Sequence, residues 1–163
     1  HGDNFIALGL TSIACVDPAT GRQVWRKDLP AATVTGFASV KDTLVITQRS
    51  GDSRTFVLGI SMADGSESFR TPVEAANAGD RVDLSASAAI EGGVVLVFAD
   101  RRISDGLIRL HSFRLLVLNA DGSTRFSWSH EVSNVSPYTQ LAVIENFIAL
   151  SCDKQTFCFG PGK

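Results

Sequence analysis

Apolar and polar residues alternate along this chain in short runs, and no window of helical length keeps a 3.6-residue stripe. Runs of strand character fall at residues 4–8, 12–16, 22–27, 34–40, 43–48, 54–60, 67–72, 81–87, 94–99, 109–118, 123–130, 139–143, 146–151 and 156–159. Between them lie turn-forming residues: Asp17 to Gly21, Ser50-Gly51-Asp52, Ala63-Asp64-Gly65, Asp105-Gly106 and Ala120-Asp121-Gly122. An Asp-Gly pair between two β-rich runs is a strong hairpin signal, because glycine takes the positive φ that a tight turn needs. The pattern predicts an all-β chain.

Repetition organises these strands. The pentapeptide Asn4-Phe5-Ile6-Ala7-Leu8 returns unchanged as Asn146-Phe147-Ile148-Ala149-Leu150, 142 residues later. That offset equals three units of about 47 residues, near the length of one four-stranded propeller blade. Weaker copies are read at Asp42–Ile46 and Gly93–Val97. A second motif keeps step with the first. Gly21, Gly65 and Gly122 each lie four residues before a bulky ring, respectively Trp25, Phe69 and Phe126. An even offset along a strand fixes the face on which the ring lies, and stacked sheets need large apolar groups on their shared face. The expected architecture is a β-propeller segment of three to three and a half four-stranded antiparallel blades. It forms one partial-ring domain over 1–163, with units near 4–40, 41–90, 91–143 and a partial unit at 144–163.

The stretch Val16-Asp17-Pro18-Ala19-Thr20-Gly21-Arg22-Gln23-Val24-Trp25-Arg26 resembles the repeat of the quinoprotein alcohol dehydrogenase-like (PQQ-repeat) propellers. In those proteins an aspartate, a Thr-Gly turn and a tryptophan recur in each blade. The later copies keep Asp64-Gly65 and Asp121-Gly122 but carry phenylalanine in place of the tryptophan. For the catalytic members the resemblance implies adjacent cysteines over the quinone, a calcium or lanthanide held by acidic and amide ligands, and a catalytic aspartate. This sequence has no Cys-Cys pair and no acidic cluster that matches such a site. The resemblance therefore points to the non-catalytic scaffold members, with no cofactor and no metal.

Composition and charge narrow the function classes. Apolar residues make up 44% of the 163 residues and charged residues 20%, which suits a globular protein with a real core. A net charge of −2 gives no general attraction to nucleic acid or anionic membrane. No apolar stretch approaches the ~20 residues of a membrane-spanning helix. The opening His1-Gly2-Asp3 reads as a chain entered in mid-course. Cys15, Cys152 and Cys158 are too scattered for a disulfide framework or a zinc site, and Cys152 and Cys158 pair only if they face each other across a hairpin. His1, His111 and His130 have no Cys or His at ligand spacing, and Asn134-Val135-Ser136 matches a glycosylation sequon in letters only.

Candidate partner contacts concentrate in Asp100–Arg109, read as a long projecting hairpin turned at Asp105-Gly106. There Arg101, Arg102 and Arg109 suit an anionic partner, set against local pairing with Asp100 and Asp105. Trp128 and Tyr138 are read as further interface aromatics or as core residues. An open arc leaves strand edges and a blade face uncovered, so closure requires the remainder of the propeller, a protein partner, a second copy of the chain, or a small closed ring. The expected function is non-enzymatic protein–protein scaffolding in a larger assembly, with a periplasmic or extracellular setting favoured. A fragment of a quinone- and metal-dependent dehydrogenase and a carbohydrate- or ligand-binding module are the alternatives.

Overall fold

The computed structural model describes residues 4–9, 11–29, 32–50, 54–75, 77, 79–104, 107–132, 139–145, 147–152 and 154–160. The turn residues Gly51, Asp52, Asp105 and Gly106, together with His1, Asn134 to Ser136, Tyr138 and Asn146, lie outside the described residues. Among the described residues, fourteen strands form four antiparallel sheets and there is no helix. The first sheet is β1 (Phe5–Leu8), β2 (Ser12–Val16) and β3 (Gln23–Asp28). The second is β4 (Ala32–Val40), β5 (Thr43–Ser50), β6 (Thr55–Ser61) and β7 (Glu67–Val73). The third is β8 (Arg81–Ile90), β9 (Gly93–Ser104), β10 (Leu107–Asn119) and β11 (Thr124–Glu131). The fourth is β12 (Gln140–Ile144), β13 (Phe147–Cys152) and β14 (Gln155–Phe159). The all-β prediction holds, and every predicted run lies on a strand.

The sheets stack in chain order because the inner strands of the middle sheets, β5, β6, β9 and β10, are apolar on both faces. In β5, Leu44 and Ile46 pack toward the first sheet against Ile13, Cys15 and Trp25, while Val45 packs toward the third. In β9, Val94, Leu96 and Phe98 join the core shared with the second sheet, and Val95, Val97 and Ala99 join the core shared with the fourth. The leading strands β4, β8 and β12 approach one another, so the sheets converge along these strands. Hydrogen bonds cross the gap between the second and third sheets, where Thr55 Oγ1 donates to the Val82 carbonyl at 2.9 Å and Ser87 Oγ to the Phe37 carbonyl at 3.0 Å. No core cluster joins the first sheet to the fourth among the described residues, and the arc is open.

Two details of the repeat differ from the sequence reading. The hairpins pair Val40 with Thr43, Ile90 with Gly93 and Ile144 with Phe147. The third copy therefore starts at Gly92 rather than Gly93. The identical pentapeptides occupy equivalent strands of the repeat, β1 at the edge of its sheet and β13 at the centre of its own, but are one residue out of step. Ile6 lies opposite Cys15, itself opposite Trp25, and Ile6 and Leu8 pack toward the following sheet. Ile148 and Leu150 are buried toward the preceding sheet, as Leu44 and Ile46 are. A one-residue shift moves every side chain to the opposite face. Each terminal sheet has turned its aliphatic pair toward the one neighbour it has.

Candidate functional site

The glycine turns and the rings that follow them form a ladder between sheets. Gly21, Gly65 and Gly122 have φ of 68°, 74° and 84°, a region that glycine enters without a Cβ penalty. The Trp25 indole lies against Gly65 of the second sheet and donates from Nε1 to the Met62 carbonyl at 3.0 Å. The Phe69 ring covers Gly122 of the third sheet and Gly59 of its own. Among the described residues Phe126 meets no glycine turn; its ring lies 5.6 Å from Phe159 and remains 40% exposed. Around it, Trp128, His130, Phe157 and Phe159 form an aromatic cluster between the third and fourth sheets, with His130 stacked on Trp128 at 5.7 Å.

The turn aspartates serve their own loops. Asp17 accepts from Thr20 Oγ1 at 2.6 Å and from the Ala19 N–H at 2.8 Å, which hold its carboxyl below the usual value. Asp64 is lowered chiefly by the Ser66 N–H and hydroxyl. At Asp121 the Ser123 hydroxyl is the main cause and the Ser123 N–H the second. Asp17 opens its turn, whereas Asp64 and Asp121 sit directly before their glycines. The same job is done from two positions.

The long hairpin expected from Asp100 to Arg109 is built from paired strands. β9 runs through Ser104 and β10 begins at Leu107, so the arginines stand on paired strands. Asp100 does not pair with the adjacent arginines. Alternation turns it inward, where it is fully buried and accepts from Ser112 Oγ at 2.9 Å and from Arg114 at 2.7 and 2.8 Å. Arg101 lies 3.5 Å from Asp83, and Arg102 pairs with Asp80 at 3.0 Å, holding the Asp80 carboxyl below its usual range. Asp83 also takes Arg49 at 2.9 Å and Arg81 at 2.8 Å. Arg109 is exposed, lies opposite Arg102, and makes no ion pair among the described residues. Asp80 and Asp83 were missed in the sequence because they stand some twenty residues before the arginines they meet.

Among the described residues, no adjacent cysteines and no acidic metal cluster of the kind the catalytic propellers carry come together. Cys15 belongs to the first sheet and Cys152 and Cys158 to the fourth; Cys152 lies opposite Gln155 and Cys158 opposite Ala149, so these two do not face each other. No group of three or more His, Cys, Asp or Glu side chains is placed to hold a metal among the described residues. None of the described residues forms a helix long and apolar enough to cross a membrane.

Residues 10–162 match the PQQ_2 family model, described as outer membrane protein assembly factor BamB. No curated protein matches the chain. Among solved structures it is similar to the computationally designed protein Ika4, at 13% identity and a TM-score of 0.57, covering 99% of this chain and 88% of that one. BamB from Moraxella catarrhalis is 11% identical with a TM-score of 0.46, and the match covers 98% of this chain but 59% of that one. The designed protein Ika8 is 11% identical with a TM-score of 0.44, covering 99% and 56%. The chain thus spans little more than half the length of these last two. The match across nearly all of its sequence, with the stacked sheets and their recurring glycine turns, makes this chain a member of the BamB-like PQQ-repeat β-propeller family.

Proposed function

We propose that the chain is a non-enzymatic propeller scaffold that binds proteins within an assembly of the bacterial envelope. The observation that carries this reading is the pair of apolar end faces. On the first sheet Phe5 and Val24 point away from the core, 65% and 51% exposed. On the fourth, Ile144 and Phe147 do the same at 70% and 58%. Propeller blades stack through such faces, so further sheets complete the ring, from the same polypeptide, a partner chain or a second copy. The description of the family as an assembly factor supports the scaffold role.

Light scattering on the chain alone and with its completing partner tests this. Phe5→Asp or Phe147→Asp should abolish ring completion while the fold persists by circular dichroism. Complete indifference of assembly to both changes would end the reading. So would a bound chromophore on reconstitution with calcium and pyrroloquinoline quinone.

A further inference from the structure

We propose that the ends of the second and third sheets nearest Asp83 form an oxyanion-accepting site that docks an acidic segment of a protein partner through Arg49, Arg81 and Arg101. Three guanidinium groups from three strands, β5, β8 and β9, converge on one carboxylate. Among the described residues Asp83 is the acid these three groups share, which leaves two positive charges in excess. The pairing geometry adds to the imbalance: Arg81 stands directly opposite Arg101 across β8 and β9. Like charges in such positions repel unless a counter-charge lies over them. A stabilising ion network is complete with one arginine per aspartate, and this one is not.

Arg101 engages that carboxylate less closely than its neighbours do: its inward Nε stands 3.5 Å from Asp83 and makes no hydrogen bond, and the side chain is 41% exposed. The arginine forks match a carboxylate in shape, and Asp83 already shows how one is seated. The whole chain carries a net charge of −2, so the local excess is not a reflection of composition. That overall charge also disfavours an extended polyanion such as nucleic acid, which meets the negative remainder of the surface, and favours a short carboxylate-bearing segment. This inference rests on the protein-binding role proposed above and names the chemistry of the partner.

The test is a titration of the intact chain with a short fluorescein-labelled peptide rich in Asp and Glu, followed by anisotropy at low salt. Binding should weaken about ten-fold or more in an Arg81→Gln/Arg101→Gln chain and with added salt. Asp83→Asn should tighten it, because the internal carboxylate competes for the same guanidinium groups; a purely structural cluster gives no gain. Equal binding of the Asn/Gln version of the peptide, or displacement by inorganic phosphate at the peptide's own concentration, would overturn the proposal. So would unchanged binding in the arginine variants with their folds intact. Ring completion in the same variants, read by light scattering, keeps the scaffold role separate: it should persist when the arginines are replaced.

Discussion

The indole of Trp25 rests on the backbone of Gly65, with the ring edge where a side chain would begin: a Cβ on that glycine would lie 2.7 Å from Cε3. Gly21, at nearly the same φ, has nothing within 4 Å of the corresponding position. The two glycines separate the cost of the turn from the cost of the contact. Gly21→Ala should lose about 1–2 kcal/mol for the left-handed backbone alone. Gly65→Ala should lose that and a further ~1–3 kcal/mol for displacing the ring. Denaturant midpoints of the two variants check the difference, and equal losses would remove the ladder from the account.

Trp25 itself is 8% exposed and spans the joint between the first and second sheets. Trp25→Ala should cost about 3–5 kcal/mol. Trp25→Phe keeps much of the apolar surface but strands the Met62 carbonyl, so a loss of about 1–3 kcal/mol is expected. Urea unfolding of the pair measures both, and a cost below ~1 kcal/mol for the alanine would contradict the burial of the ring.

Asp100 and Arg114 form a buried pair in which only the arginine retains some exposure. Asp100→Ala leaves a cation facing the core without its partner and should cost about 3–5 kcal/mol. Adding Arg114→Ala should restore part of that loss, a coupling that a double-mutant cycle reads directly. Strict additivity would show that the two side chains act independently.

Asp17, Asp64 and Asp121 ionise more readily folded than unfolded, below the usual 3.8, because turn hydrogen bonds favour the carboxylate. A lowered folded value contributes stability that is fully present above the unfolded value and is lost as pH falls through the folded one. Thermal stability should therefore be flat from neutrality to mild acid and then decline as these groups protonate. A chain carrying Asp17→Asn, Asp64→Asn and Asp121→Asn should show a shallower decline, checked by melting curves across that range.

Strand content was legible because alternation and turn chemistry are local properties. Each run from Phe5 to Phe159 carries its own pattern, and each lies on a strand. Register was less legible. Asn-Phe-Ile-Ala-Leu is amphipathic in either orientation, so identical letters did not reveal that the first copy turns Ile6 one way and the last turns Ile148 the other. The arginines of β9 and β10 were visible as charges on a long hairpin, but not which acids they meet. Their partners were hidden for a plain reason: Asp80 and Asp83 meet them through the pairing of β8 with β9, and Arg49 arrives from another sheet. The inward turn of Asp100 likewise depends on strand continuity that a run of polar residues conceals.

The second and third sheets are covered on both sides, and the first and fourth on one. Cooperativity in stacked units passes only between neighbours, so thermal opening starts at the termini of the stack. Amide exchange should run fastest in β1 and β14 and slowest in β5 and β9. A chain built this way frays from its outer layers while its middle holds, and whatever caps those layers tightens the molecule as a whole.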